Sequence, residues 1–208
     1  DLHYYMFSGI VQKKEKIVSV TNQEGLSQFV IQLDELAQGL TIGASVAISG
    51  VCLTVVSQTE DTATFEVMSE TLAKTTLGLL EMGSEVNIER SVRVGDEIGG
   101  HRVSGHVIGK GMITNVETPP NNWIITIQCD SVWMDYILSK GFVAVDGCSL
   151  TVVDTGSDWF TIHLIPETLR VTTFGSKGVG DAVNIELDPE TQAIVTTVKR
   201  YLSTHPLV

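Results

Sequence analysis

The sequence predicts an all-β protein made of two tandem six-stranded antiparallel Greek-key barrels, an internal duplication, followed by a C-terminal α-helix. Three observations predict it. The first is a repeat: residues 43–89 laid over residues 140–186, an offset of 97 without a gap, are identical at 20 of 47 positions. Val46 to Val56 and Val143 to Val153 share Val-Ala and then Gly-x-(Cys/Ser)-Leu-Thr-Val-Val, and Glu70-Thr71-Leu72 recurs at Glu167-Thr168-Leu169. Val86-Asn87-Ile88-Glu89 recurs at Val183-Asn184-Ile185-Glu186, and Phe7-Ser8-Gly9-Ile10-Val11 lies over Val103-Ser104-Gly105-His106-Val107 at an offset of 96. The second observation is punctuation, since short apolar or alternating runs are broken by Gly, Asn, Asp and Pro every ~8 to 14 residues. The third is that the repeat stops after Glu186 and the apolar residues change to helical spacing.

Taken in order, the strands of the first unit are expected at Gly9 to Val18, Gln28 to Leu33, Ser45 to Ser49, Leu53 to Gln58, Thr62 to Val67 and Glu85 to Glu89. Those of the second are expected at Gly105 to Val116, Trp123 to Cys129, Phe142 to Val145, Leu150 to Asp154, Trp159 to Leu164 and Ala182 to Leu187. Closing six strands removes the edges that an open sheet would expose. Short helices are expected at Asp34 to Ala37 and at Ser131 to Leu138, where Val132, Trp133, Tyr136 and Ile137 share a face. Single helical turns are expected to start at Glu70 and Glu167. Asp188 is a good N-cap, Pro189 suits the first helical position, and Ile194, Val195, Val198 and Leu202 form one stripe of a helix with no counterpart in the first unit. Such a leftover amphipathic helix points to oligomerisation. The units therefore read as residues 6–95, 96–187 and a helix over 188–208, with residues 1–5 a cloning or processing remnant before a natural start at Met6.

The bulk composition narrows the function. A net charge of −12 argues against nucleic acid, whose phosphates need clustered Lys and Arg. Three cysteines, Cys52, Cys129 and Cys148, without CxxC spacing indicate neither a disulfide framework nor a zinc site, so no metal is expected and a reducing, cytoplasmic home is. No apolar run approaches the ~18 residues a membrane helix needs. No nucleophile elbow, Walker loop or HExxH spacing occurs.

Differences between the copies are the candidate chemistry. Cys52 faces Ser149 in the alignment and Ile10 faces His106, so a duplicated pocket carries a thiol in one version and a hydroxyl and an imidazole in the other. Each has a plainer reading: Cys52 as a small buried hydrophobe, Ser149 as a turn residue, His106 as a core histidine, His101 as a solvated loop residue after Gly99-Gly100. Gly50 and Gly147 would let a ligand approach the main chain, with the Thr54 and Thr151 hydroxyls beside it. That suits a flat uncharged heterocycle with a polyol tail.

Met6-Phe7-Ser8-Gly9-Ile10-Val11, the doubled Gly-x-(Cys/Ser)-Leu-Thr-Val, Gly99-Gly100-His101-Arg102-Val103-Ser104-Gly105-His106 and Leu164-Ile165-Pro166-Glu167-Thr168-Leu169 together closely resemble riboflavin synthase of the alpha-chain type. The likeness runs from Met6 to about Leu202, and several motifs in the right order make it specific. It implies a homotrimer with the C-terminal helix at its axis, and dismutation of two 6,7-dimethyl-8-ribityllumazine molecules into riboflavin and 5-amino-6-(D-ribitylamino)uracil, without metal or redox cofactor. Association with lumazine synthase is left open. The resemblance places each active site between the first barrel of one subunit and the second barrel of a neighbour. The first is expected to supply Gly9, Ile10, Val11, Ser45, Cys52, Leu53, Thr54, Glu66, Val67, Met68, Ser69, Glu70 and Thr71. The second is expected to supply Gly105, His106, Val107, Lys140, Ser149, Leu150, Thr151, His163, Leu164, Ile165, Pro166, Glu167 and Thr168, with His101 joining the substrate-binding set. His106 is assigned the proton shuttle, Ser149 and Thr151 polar activation of one lumazine, Cys52 nucleophilic or positioning contact with the other, and Phe7 packing over the ring. Ser49, Val51, Ser69 and Cys148 depart from the usual motifs at shell positions. A non-catalytic lumazine or flavin carrier of the same fold would carry altered second-copy motifs, whereas Cys52, His106, Ser149 and Thr151 stand together here. A flavin oxidoreductase would need a Gly-rich βαβ turn, which is missing.

Overall fold

The structure is a computed structural model and describes residues 7–205; Met6 and the residues before it lie outside the described residues. Strands β1 (Lys13–Gln23), β2 (Leu26–Gln32), β3 (Ser45–Ile48), β4 (Val51–Gln58), β5 (Thr62–Met68) and β6 (Glu85–Arg90) close into a barrel of order β1-β2-β5-β4-β3-β6. Strands β7 (Gly109–Glu117), β8 (Trp123–Gln128), β9 (Phe142–Val145), β10 (Cys148–Thr155), β11 (Trp159–Leu164) and β12 (Ala182–Leu187) form a second barrel of the same connectivity, β10-β11-β8-β7-β12-β9. In each barrel the ladder slips at corresponding places, at Ile17/Ser19 and Val55/Ser57 in the first and at Ile113/Asn115 and Val152/Thr155 in the second. Such bulges supply the bend that a small barrel needs to close. Alternating residues fill the interiors, with Phe29, Phe65, Ile31 and Ile88 in one core and Phe160, Phe174, Ile113 and Ile185 in the other.

Two short helices, α1 (Ser69–Lys74) and α2 (Pro166–Val171), follow β5 and β11, and each ends in a 3-10 turn capped by a threonine. Thr75 and Thr172 return their hydroxyls to Thr71 and Thr168 and accept from Leu77 and Phe174. The expected helix over Ser131 to Leu138 is shorter, a 3-10 turn at Ser131–Asp135, because the Tyr136 N–H returns to Trp133 and Lys140 then turns the chain into β9 with φ 67°.

The strands expected from Gly9 and Gly105 begin later, at Lys13 and Gly109. Gly9 and Gly105 have φ of 74° and 81°, outside any strand conformation, and the Ser8 and Gly9 N–H groups donate to Glu89 on β6. Ser104 and Gly105 donate likewise to Glu186 on β12. Pinned there, each leading segment crosses over. Val11 joins the core of the second barrel, and Val107 packs on the core of the first. Phe7 and Val103 pair across the crossing, where the Phe7 N–H donates to the Val103 carbonyl at 3.0 Å and the Val103 N–H to the Phe7 carbonyl at 3.1 Å.

The pseudo-twofold contact is dense. Ser49-Gly50 and Asp146-Gly147 are tight hairpin turns with positive φ at both positions, which extends β4 and β10 back to Val51 and Cys148. Gly50 and Gly147 face each other: a Cβ on Gly50 would stand 2.6 Å from the Gly147 nitrogen. These glycines therefore admit the neighbouring barrel rather than a ligand, which corrects the expectation for them. Asn87 donates to the Asp146 carbonyl at 2.9 Å and accepts from the Thr173 N–H at 2.8 Å, while Asn184 donates to the Ser49 carbonyl at 2.8 Å and accepts from the Thr76 N–H at 2.7 Å.

Helix α3 (Pro189–Thr204) starts as the sequence predicts, with the Thr191 N–H donating to the Asp188 carboxylate at 2.8 Å. None of its side chains is buried; Lys199 ties it to Asp135 and lies over the Tyr136 ring, while Ile194, Val198, Tyr201 and Leu202 stay exposed. Among the described residues no helix is long and apolar enough to cross a membrane.

Candidate active site

On β4 the residues Val51, Leu53 and Val55 point inward, so Cys52 and Thr54 come to the outer face, and on β5 Phe65 and Val67 point inward while Glu66 and Met68 face out. The crossing segment supplies the rim of this groove. The Cys52 N–H donates to the Gly105 carbonyl at 3.0 Å, and a Cβ on Gly105 would stand 2.5 Å from that of Cys52. His106 follows with an exposed side chain, its N–H on the Ser104 hydroxyl at 3.3 Å, so it is neither a strand residue nor a core histidine. Burial pushes the Cys52 thiol up, and a hydrogen bond with Ser45 offsets this only in part. The thiol is therefore protonated at neutral pH, which suits a donor or packing contact better than a nucleophile.

The second barrel repeats the frame with other groups. Leu150 and Leu164 point inward, Ser149, Thr151 and His163 outward, and Ile165 to Thr168 lead into α2. The Ser149 N–H donates to the Gly9 carbonyl at 2.8 Å, and Ile10 lies exposed beside it. Within one chain, then, Gly9 and Ile10 border Ser149 while Gly105 and His106 border Cys52. This reverses the grouping expected from sequence, because the Glu89 and Glu186 clamps send each leading segment across. Lys140 holds a left-handed φ of 67° where the first barrel has Gly43 at 87°, a conformation that costs a side-chain-bearing residue about 1 kcal/mol. Asn122 Nδ2 lies 3.3 Å from His163 Nδ1.

His101 is not the solvated loop residue that its place after Gly99-Gly100 suggests. It is buried, 8 % exposed, with its ring stacked on Phe142 at 5.1 Å and its Nδ1 2.6 Å from Ser149 Oγ. Its main-chain N–H also donates to that oxygen at 3.2 Å, and its Nε2 is buried with no hydrogen-bond partner among the described residues. Burial lowers its pKa, opposed by the nearby Asp188 charge, so the ring is neutral at neutral pH. Phe142 replacing Ser45 and Ser149 replacing Cys52 was the available signal: a hydroxyl and a ring appear together in the copy that carries His101.

Several expected contact residues turn inward. Phe7 is fully buried with Val103, Ala47 and Ala144 between the barrels, so its ring faces no groove. Leu53, Val67, Leu150 and Leu164 are core side chains that can offer only backbone to a ligand. Two cavities of about 500 and 480 Å³, one lined by Thr114, Thr126, Trp159 and Thr161 and the other by Leu79, Lys110, Met112 and Cys129, include none of the expected site residues. Among the described residues no three His, Cys, Asp or Glu side chains converge as a metal centre requires.

Burial also pushes the Cys148 thiol up to about 12. A higher pKa leaves less thiolate, so alkylation of Cys148 by iodoacetamide at pH 8 is expected to be slower in the native protein than in the unfolded chain by on the order of 1000-fold. Peptide mass spectrometry against time measures this, and equal rates in the two states would contradict the packing of β10.

The family model described as the lumazine binding domain matches residues 8–91 and again residues 104–188. The chain is 46% identical over 200 residues to the riboflavin synthase of Escherichia coli (strain K12), covering 95% of this chain and 94% of that protein. It is 43% identical over 199 residues to the riboflavin synthase of Chlamydia pneumoniae, covering 95% and 98%. LumP complexed with riboflavin has the same fold, with a TM-score of 0.80 at 24% identity over 88% of this chain and 99% of that one. The doubled domain and relatives of this identity along nearly the whole sequence show that the chain belongs to the riboflavin synthase family.

Proposed function

We propose that this chain converts two molecules of 6,7-dimethyl-8-ribityllumazine into riboflavin and 5-amino-6-(D-ribitylamino)uracil by moving a four-carbon unit from one to the other. The observation that carries this reading is one frame with two chemistries: the same backbone scheme presents Cys52 and His106 on one barrel and Ser149, His101 and Thr151 on the other. A reaction between two identical molecules needs two similar pockets that polarise them differently. Two lumazines sum to the two products atom for atom, so the balance calls for no oxidant or reductant. His106 removes the C7-methyl proton, Ser149 and Thr151 polarise one lumazine, and Cys52 positions the other. Incubation with the lumazine alone is the test. Riboflavin and the pyrimidine appearing one for one, at half the lumazine consumed, are expected; tight binding of unchanged lumazine would mean a carrier instead.

Among the described residues the buried Phe7–Val103 bridge joins the two crossing segments. On this reading a complete site pairs the first barrel of one copy with the second barrel of another, in a homotrimer held by the exposed stripe of α3. Mixed assemblies of His106→Gln and Ser149→Ala chains, each alone impaired, are expected to regain activity because some sites receive neither change. Failure to regain any would place both grooves of a site in one chain. Val198→Asp is expected to give monomers by light scattering and to lower turnover at least about tenfold, as loss of one wall of a site does; an unchanged oligomer would remove α3 from the interface.

A further inference from the structure

We infer that His101 is a positioning residue that fixes the Ser149 hydroxyl as an outward hydrogen-bond donor to the ligand of the second barrel, an inference that rests on the proposed lumazine reaction. A hydroxyl has one proton and two lone pairs. One lone pair of Ser149 takes the His101 main-chain N–H at 3.2 Å. The ring Nδ1, 2.6 Å away, takes the second direction. What remains for the ligand depends on which nitrogen of the neutral ring carries the proton. If Nδ1 accepted from Ser149, the proton would sit on Nε2, leaving a buried N–H with no partner among the described residues. Orphaned buried N–H groups are rarer than unfilled acceptors, so the proton belongs on Nδ1. Nδ1–H then fills the second lone pair, and the Ser149 proton has only the groove to point into.

The surroundings hold this arrangement. Phe142 stacks on the imidazole with 12° between the ring planes. A Cβ on Gly100 would stand 2.1 Å from the Ser8 carbonyl oxygen and 2.7 Å from Ser149 Cβ, so only glycine lets this loop press His101 onto the serine. The first barrel has Ser45 in place of Phe142 and Cys52, a weaker donor, in place of Ser149. A donor aimed at a ring carbonyl or nitrogen withdraws electron density, which acidifies a methyl group conjugated with that ring. The second barrel therefore holds the lumazine that is activated by a donor.

The test uses side chains that copy one ring nitrogen each. His101→Asn places an amide near the Nδ1 position and is expected to keep kcat within about threefold. His101→Gln places it near Nε2 and is expected to lower kcat about 10- to 100-fold and to bind lumazine more weakly than the Asn variant, as loss of one preorganised donor to the ligand does. The double variant His101→Gln/Ser149→Ala is expected to be no slower than Ser149→Ala, because both act through one hydroxyl. Equal activity of the Asn and Gln variants, or losses that multiply in the double variant, would overturn the inference. Lumazine affinity of the same proteins is read by fluorescence titration. Should the unsubstituted chain bind lumazine without forming riboflavin, the dismutation reading fails alone, and weaker binding by the Gln variant than by the Asn variant still decides the role of His101.

Discussion

Replacing His106 with glutamine is expected to lower riboflavin formation by about 100- to 10,000-fold, the range for loss of a positioned proton-transfer group. The expectation follows from what its neighbours cannot do. The Cys52 thiol is held protonated by burial. Ser149 is committed to donating by the two N–H groups of His101. Phe7 is sealed between the barrels. His106 offers an exposed imidazole on the groove rim beside Cys52. Because its side chain is exposed and only its backbone is tied, by the 3.3 Å bond to Ser104, glutamine should leave the melting temperature within about 2 °C. Steady-state rates with the lumazine as sole substrate measure the effect. Activity within about threefold of the parent would falsify the shuttle role, and a similar loss accompanied by a large fall in melting temperature would trace it to the fold.

Much of the architecture was legible because duplication writes each element twice. Phe142 to Val145, Trp159 to Leu164, Ala182 to Leu187 and the N-cap at Asp188 stand where alternation and capping put them. The crossing segments were not legible. Gly9-Ile10-Val11 and Gly105-His106-Val107 look like strand starts, since apolar pattern alone cannot separate a strand from an extended segment buried in a different barrel. What decides is the carboxylate of Glu89 or Glu186, about 80 residues away in sequence. The Ser49-Gly50 and Asp146-Gly147 turns carry hairpin chemistry, but in sequence their glycines look the same as glycines that admit a ligand.

The site was legible as divergence and illegible as grouping. Cys52 and Ser149 occupy the same position of two frames, and the repeat alone singles them out. Which leading segment borders which barrel depends on the crossover, so sequence order assigned His106 to the wrong partner within the chain. His101 followed a glycine pair that reads as a solvated loop. It is buried because Gly100 has no side chain to keep Ser8 and Ser149 apart. Phe142 completes the burial with a face that Ser45 does not offer.

Asn184→Ala is expected to destabilise the protein by about 2 to 6 kcal/mol, because it strands two buried backbone groups at about 1 to 3 kcal/mol each. The Asn184 amide satisfies the Ser49 carbonyl and the Thr76 N–H of the other barrel, and both of those residues are buried. Asn87→Ala should cost a similar amount through Asp146 and Thr173. Asn184→Asp should not rescue, since it still accepts from Thr76 but sets a carboxylate oxygen against the Ser49 carbonyl. The three tryptophans, Trp123, Trp133 and Trp159, all belong to the second barrel, so tryptophan fluorescence follows that barrel while far-UV circular dichroism follows both. In urea the two probes are expected to coincide for the parent chain and to separate for Asn184→Ala. A loss below about 1 kcal/mol, smaller than one stranded backbone group should cost, would mean that the amides do not hold the barrels together. Turnover should fall before the fold does. The registration that these amides maintain is also what sets Gly9 against Ser149 and Gly105 against Cys52, so a loosened contact displaces the rim of both grooves while each barrel remains closed.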